Sequence, residues 1–278
     1  MKIRPRSLPA GWYPGGREQT VRQIEQFRGS LEKSAGGAVA GVAPHAGWSF
    51  SGSIACHVFL NIAADVQTIV VVGGHMRPRS GLLAAFEQGY ETPLGVLAAD
   101  LELLESLQAD CTLKEDRYAD NTVEVQLPLL KYLHPRVQAL YLRASPSAEA
   151  LELGEALAAA SERLDRRVAV VGSTDLTHYG DNYGFSPQGS GPAAVKWVKE
   201  VNDRNIIEAL VTMDLEKALA VAGRDRSACS VGGAAAAAHF ARRKGTRRGE
   251  LLEYRTSYDL SPSPFFVGYA GIIYPGTV

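Results

Sequence analysis

The chain has few cysteines, almost no net charge and no long hydrophobic run. Its 278 residues include three cysteines, an odd and scattered number that argues against a disulfide framework. A formal net charge of -1 gives no electrostatic reason to expect a nucleic acid or an anionic membrane as partner. No apolar stretch approaches the roughly 20 residues that cross a bilayer, and no apolar run follows the charged N-terminus as in a secretory signal. We therefore expect a cytoplasmic protein that binds neither nucleic acid nor membrane.

The order of apolar runs and helical segments predicts the fold class. Runs rich in Val, Ile and Leu alternate with segments of helical periodicity. We expect strands over residues 38–43, 68–72, 82–86, 137–142, 167–172, 251–258 and 265–273. We expect helices over residues 17–32, 53–64, 100–108, 123–133, 148–164, 193–210, 215–221 and 230–242. The alternation predicts one α/β domain over residues 1–278, with a mainly parallel or mixed central sheet flanked by helices.

Several local signals refine this prediction. Asp100 and Asp214 are expected as N-caps, and Pro128 is expected to kink or interrupt its helix. The alanine run 234–238 is typical of a helix that packs closely against a neighbour. Residues 179–192, rich in Gly, Pro, Ser, Asn and Asp, are expected to form a long functional or mobile loop.

Three of the six histidines share one structural context. His45, His75 and His178 lie two, three and six residues, respectively, beyond the ends of the strands predicted over 38–43, 68–72 and 167–172. One such histidine alone is more often a hydrogen-bonded loop residue. In an open parallel sheet, however, ligands bind beyond the carboxyl ends of the strands, so all three side chains can converge there. We therefore expect them to line one cleft.

Cys229 lies directly before the helix predicted over residues 230–242. Because a helix N-terminus favours the thiolate, its sulfur would serve either as a nucleophile or as a soft metal ligand. A lone buried cysteine is more often a small core residue, but the polar residues 224–227 argue against that here. Cys56 and Cys111 lack such surroundings and are assigned to packing or to the surface.

Two carboxylates are further candidates. Asp175 precedes His178 by three residues, so it would orient an imidazole or a metal-bound water, or else serve as a turn or N-cap residue. Glu124 begins an otherwise apolar helix, where a glutamate is usually explained by the helix dipole.

A site of two histidines and one anionic ligand, with coordination positions left open, is typical of non-haem iron enzymes. Here the anionic ligand would be a thiolate, which softens the site and makes copper and zinc credible beside iron. His178, which is not needed as a ligand, would then act as an acid or base near the open positions. The sequence thus predicts a metal-binding cleft.

Six segments in order along the chain carry a family likeness: residues 8–14, 44–52, 91–95, 123–128, 173–180, and 254–259 with 267–270. They span nearly the whole sequence. On these segments the chain resembles the Memo family, the protein B component of the Amme, Memo and radical SAM system.

The resemblance implies a fold like that of the class III extradiol dioxygenases, with oxygen chemistry suggested by that kinship. The metal ligands of the family map onto His45, His75 and Cys229. Asp175 and His178 correspond to further cleft residues, with Glu124 nearby, and these three are the catalytic candidates. Fe(II) is the expected metal, with copper or zinc as alternatives. A functional link to Amme-type and radical SAM proteins is also implied.

The sequence departs from the family pattern at three places. Gly73-Gly74 precedes His75 where the family usually has Gly-Pro-Asn, and Asp120-Asn121-Thr122 replaces Glu-His-Ser, so one cleft histidine is missing. Cys229 is followed by Ser230 where glycine is common. These changes bear on substrate identity and turnover more than on metal binding.

Three functions remain open from the sequence. The leading hypothesis is a metal-dependent redox or oxygen-using enzyme that acts on a small molecule or a modified protein group. The second is a non-catalytic module that binds a peptide or protein, with a structural or vestigial metal. The third is a hydrolase with Cys229 as nucleophile and His178 as base.

Overall fold

The computed structural model describes residues 2–31 and 36–276. The strands in this part of the chain are β1 (Ile3–Arg4), β2 (Ala38–Ala43), β3 (Thr68–Gly73), β4 (Leu82–Ala84), β5 (Gly89–Thr92), β6 (Gly95–Ala98), β7 (Leu113–Glu115), β8 (Gln138–Ala144), β9 (Val168–Ser173), β10 (His178–Tyr179), β11 (Glu250–Thr256) and β12 (Phe266–Pro275).

The helices follow the same alternation. They are α1 (Arg17–Gly29), α2 (Trp48–Asn61), α3 (Leu101–Leu107), α4 (Asn121–Glu124), α5 (Leu127–Leu133), α6 (Ala148–Arg163), α7 (Pro192–Trp197), α8 (Asp203–Val211), α9 (Leu215–Asp225), α10 (Val231–Arg243) and α11 (Ser257–Leu260). A π-helical turn, Val198–Asn202, joins α7 to α8, and a 3-10 turn, Asp181–Tyr183, follows β10. No helix of the described residues has the length and apolar character needed to cross a membrane.

The strands form a large mixed sheet and a small one. The large sheet has nine strands in the order β10-β12-β2-β9-β3-β8-β4-β7, with β11 paired to β12. Its central strands β2, β9, β3 and β8 are parallel, while β12 and β4 pair antiparallel on either side. The small sheet has the order β1-β5-β6. The predicted fold class, α/β with a mixed sheet flanked by helices, is confirmed.

The central strands are apolar along their whole length because helices cover both faces. In β3, Val70 and Val72 pack into one core cluster with residues of α6 and α10. Ile69 and Val71, which alternate with them, pack into a second cluster with residues of α2 and α5. All four side chains are fully buried. The carboxyl ends of four parallel strands are thereby held at one edge of a rigid layer.

Helix α10 approaches the sheet unusually closely at its first turn. A Cβ atom on Gly233 would overlap the carbonyl oxygen of Val72, and one on Gly172 would overlap the backbone of Gly233. Gly232 lies in the same way against the carbonyl oxygens of Ala144 and Ser145. These glycines bring the start of α10, and with it Cys229, against the carboxyl ends of the parallel strands. The alanine run 234–238 is fully buried behind them, as predicted.

The predicted elements lie where expected, and the differences are local. The predicted helix 123–133 is broken into α4 and α5, with Pro128 in the first turn of α5. Strand β11 ends at Thr256 because that residue caps α11 in a reciprocal capping box with Asp259. Residue 32, the last of the first predicted helix, lies outside the described residues. Asp100 and Asp214 are N-caps, as predicted.

The close contact of α10 can be tested by adding one methyl group. Gly233→Ala should lower the free energy of unfolding by about 1–3 kcal/mol, because the clash is with backbone atoms that cannot rotate away. Gly223→Ala in α9 is the matched control, since its Cβ meets nothing within 4 Å and should raise stability by about 0.5–1 kcal/mol. Urea unfolding of both variants measures this, and equal effects would contradict the packing described.

Candidate metal centre

His45 is held rigidly just beyond the end of β2. Its backbone N–H donates to Oδ1 of Asp175 at 2.7 Å, and its Nδ1 lies 3.2 Å from Oγ of Ser173 at the end of β9. Gln126 donates to the same Ser173 Oγ and to the carbonyl of Pro44. The ring is buried, and its Nε2 lies 3.2 Å from Sγ of Cys229. Its Nε2 is thus the ring nitrogen that faces the cysteine.

His75 follows β3 by a single glycine. Its ring lies 5.0 Å from that of His45, centroid to centroid, and nearly perpendicular to it. Its Nδ1 is 3.6 Å from Oδ2 of Asp120, so the other ring nitrogen is left for a ligand. The side chain is 41% exposed, whereas that of His45 is almost fully buried. His75 therefore forms the solvent side of the pair.

Cys229 completes the group from the start of α10. Its N–H donates to the carbonyl of Asp175 at 3.2 Å, which ties the turn before α10 to the segment after β9. Burial raises the pKa of the thiol well above its usual range, and the nearby Asp175 adds to this. A divalent cation beside the sulfur would offset both effects and favour the thiolate.

The three side chains fit a metal ion by donor type and by spacing. Ligand atoms of His45, His75 and Cys229 all lie within 4.8 Å of one another. Nitrogen and sulfur ligands stand about 2.0–2.3 Å from zinc, so donors of one ion lie roughly 3–4 Å apart and small side-chain adjustments suffice. Burial, and next the proximity of His75, lower the pKa of His45 to about 3, so its imidazole is neutral, as a ligand must be. The predicted ligands are brought together.

Asp120 supports His75 and was not predicted as a site residue. Burial opposes ionisation of this carboxyl, but the nearby His75 ring, the hydrogen bonds from Thr122 and the charge of Arg143 lower its pKa well below the usual range. Arg143 reaches it at 3.1 Å and also contacts Asp116 at 3.2 Å. The carboxylate is therefore fixed and ionised, which suits an acceptor that orients a ligating imidazole.

Two of the departures from the family pattern meet in space. The N–H of Gly74 donates to Oγ1 of Thr122 at 2.8 Å, and a Cβ on Gly73 would overlap that side chain. Asn121, directly before Thr122, donates from Nδ2 to the carbonyl of His45 at 3.2 Å and lines the cleft. The altered residues before His75 and in 120–122 thus form one complementary contact.

His178 lines the same cleft as His45 and His75. Its Nε2 is 3.9 Å from Oδ2 of Asp175 and is buried with no hydrogen-bond partner among the described residues. Burial lowers the pKa of His178, although Asp175 opposes this. Burial raises the pKa of Asp175 itself. The second oxygen of Asp175 is also 3.9 Å from Nε2 of His45, so one carboxyl group contacts both imidazoles.

Thr177, next to His178, is held by residues that the sequence did not reveal as site residues. Its N–H donates to Oδ1 of Asp203 at 3.0 Å, its hydroxyl donates to the same atom, and Asn202 donates to that hydroxyl at 2.8 Å. Asn202 is the last residue of the π-helical turn, and Asp203 is the first residue of α8. Gly268 of β12 donates to the Thr177 carbonyl. The segment that carries His178 is therefore fixed.

Glu124 lies apart from this group. Its carboxylate accepts hydrogen bonds from the N–H groups of Ser7 and Leu8, from the Ser7 hydroxyl and from Tyr13. It is not among the residues that line the cleft, although Trp12 of the segment it holds is. Its catalytic assignment stays a prediction, and its contacts favour a positioning role.

Residues 179–192 were predicted as a long loop at the site. Tyr179 is fully buried in an aromatic cluster with Phe185, Trp197 and Phe266. Tyr183 lines the cleft, with its ring 5.0 Å from that of His178. The start of the loop is thus packed against the body and forms one wall of the cleft.

Comparison with known proteins identifies the family of the chain. A family model described as Memo-like protein matches residues 4–273. The chain belongs to the Memo family. A MEMO1 family protein of Pyrococcus abyssi is 32% identical to it, over 98% of this chain and 99% of that protein. One of Thermococcus onnurineus is 31% identical with the same coverage, and one of Methanopyrus kandleri is 32% identical over 84% of this chain and 82% of that protein.

The buried carboxyl of Asp203 makes stability depend on pH. Burial raises its pKa from 3.8 to about 7. Because the native carboxyl keeps its proton to higher pH than the unfolded one, this contribution to stability is complete below about pH 4 and is lost as the pH rises towards 7. Asp203→Asn stays neutral, so its free energy of unfolding relative to wild type should rise by up to roughly 4 kcal/mol between pH 4 and pH 8.

Urea unfolding at several pH values measures this difference. Asp214→Asn is the matched control, because it changes an exposed N-cap to another capping residue. Its stability relative to wild type should change little over the same range. If the free energy of unfolding of Asp203→Asn relative to wild type did not change with pH, the pKa of the Asp203 carboxyl would not be raised by burial as described.

Proposed function

We propose that this Memo family protein is a metal-dependent enzyme of redox or oxygen chemistry, related in type to the extradiol dioxygenases. The observation that carries the proposal is the meeting of two imidazoles and one sulfur, with a third imidazole lining the same cleft. Structural sites usually close the coordination shell with four protein ligands, whereas three ligands leave a position open for chemistry.

Fe(II) is the metal that we propose, with copper or zinc as alternatives. Imidazole suits all three ions, and the thiolate shifts preference towards the softer ones. When bound, the metal would supply redox chemistry and open coordination positions. His45, His75 and Cys229 would hold it.

The chain's own residues supply proton transfer and orientation. Nε2 of His178 is a buried nitrogen of the cleft with no hydrogen-bond partner among the described residues, so we propose that it accepts or donates a proton at a bound substrate. Asp175 accepts a hydrogen bond from the backbone N–H of His45, which orients His45, and it also lies beside His178. The hydrogen bonds on Thr177 keep His178 in place relative to both.

The alternatives differ in what the cleft is for. Burial raises the pKa of Cys229, which disfavours the hydrolase hypothesis because a nucleophilic cysteine needs a lowered one. A non-catalytic binding module would retain a partner equally well in wild type and in His178→Ala, and a pull-down of that kind distinguishes it. We further propose a cytoplasmic location, a small-molecule or protein-derived substrate, and a functional link to Amme-type and radical SAM proteins.

Metal content tests the ligand set. Protein purified without oxygen should carry nearly one iron or copper per chain, and His45→Ala or Cys229→Ser should remove most of it. His239→Ala and Cys111→Ser are matched controls, since His239 pairs with Glu155 at the surface and Cys111 lies outside the group. Elemental analysis by mass spectrometry gives the stoichiometry. Full metal in both ligand variants would refute the set.

Protection of the thiol gives a second test. Coordination occupies the sulfur, so iodoacetamide should label Cys229 slowly in the metal-loaded protein and faster after a chelator is added. Cys111 should be labelled at the same rate in both states, which controls for unfolding. Peptide mass spectrometry follows each residue separately. Equal labelling of Cys229 with and without metal would mean that the sulfur is not a ligand.

A further inference from the structure

The cleft around the candidate metal centre has an aromatic mouth. Phe50, Phe265 and Tyr183 line it and are 41%, 45% and 37% exposed, respectively. Trp12 and Tyr269 line it as well. Large apolar side chains exposed together around a concave site mark a surface that binds an apolar group.

The polar groups of the cleft are mostly uncharged. Ser257, Ser261 and Ser263 line one part of it, and Asn121 lies beside His45. Hydroxyl and amide groups of this kind bind neutral hydroxyl, amide or carbonyl groups of a ligand. The cavity volume is about 650 Å³, which lies within the range of roughly 300–1,000 Å³ of small-molecule sites.

Lysine and arginine are absent from the described residues that line the cleft, and Asp175 is the acidic residue there. These two cationic side chains are the ones that usually bind carboxylate and phosphate groups. The described lining therefore offers an anionic substrate no lysine or arginine side chain.

Arginines next to lining residues are already engaged. Arg143 contacts two carboxylates at 3.1 and 3.2 Å, and Arg226 donates to two backbone carbonyls at 2.7 and 2.9 Å. Arg255 contacts Ser53 and pairs with Glu253. Turning one of them into the cleft would break these contacts, so a hidden anion site is disfavoured.

From the aromatic mouth, the hydroxyl groups and the lack of cationic side chains, we infer that the cleft selects an uncharged ligand that carries an aromatic group. This inference rests on the proposed function, because it takes this cleft to be the substrate site. The aromatic ring would lie against Phe50 and Phe265. A neutral hydroxyl or amide group would meet the serines.

A matched pair of probes tests the charge selection. Benzamide and benzoate have nearly the same shape and differ in charge at neutral pH. We expect benzamide to bind at least about tenfold more tightly than benzoate to the metal-free protein, whose cleft lining has no lysine or arginine among the described residues. Ligand-observed NMR titration measures both dissociation constants. Equal or tighter binding of benzoate to the metal-free protein would overturn the inference.

Variants locate the binding site. Phe265→Ala should weaken benzamide binding severalfold, whereas Leu251→Ala, which removes an exposed leucine outside the cleft lining, should leave it unchanged. Ser261→Arg adds a cation at the rim and should shift the preference towards benzoate. Unchanged benzamide binding in Phe265→Ala would place the probe elsewhere and would also overturn the inference.

Metal content measured on the same samples separates this inference from the proposed function. Charge selection by a protein that takes up no metal would support the inference and refute the metal-dependent function. Metal uptake together with a preference for benzoate would support the metal-dependent function and refute the inference.

Discussion

The candidate centre depends on one packing constraint, the backbone contact between the first turn of α10 and the carboxyl ends of the parallel strands. His45 and His75 follow neighbouring parts of that edge, but Cys229 comes from a segment more than 150 residues further along the chain. Glycines at 172, 232 and 233 let the backbones touch. A side chain at any of these places would move the sulfur away from Nε2 of His45, which it now approaches to 3.2 Å.

Around this contact, charged and polar groups fix each side chain from behind. Asp120, ionised and held by Arg143, faces His75, while Asp175 contacts His45, His178 and the turn before α10. Thr177 has its N–H, carbonyl and hydroxyl groups bonded to Asp203, Gly268 and Asn202. Hydrogen-bonded polar networks of this kind rigidify a site, which is what a centre for metal and substrate requires.

The sequence predicted the parts of the site that depend on local signals. Apolar runs mark β2, β3 and β9, and the ends of parallel strands share an edge, so His45, His75 and His178 were expected to meet. The role of Glu124 could not be predicted, because its partners Ser7 and Leu8 lie over 110 residues away. Asp203 gave no signal either, since it is an ordinary polar residue in a helical segment. The short strands of the small sheet were missed because they are only two to four residues long.

The central claim is that one cation would be bound by sulfur and two imidazoles at the same time. X-ray absorption at the metal edge of the loaded protein measures this most directly. We predict one sulfur at about 2.3 Å and two imidazole nitrogens at about 2.0–2.1 Å, with the sulfur lost in Cys229→Ser. A spectrum of the wild-type protein with nitrogen and oxygen neighbours alone would contradict the account.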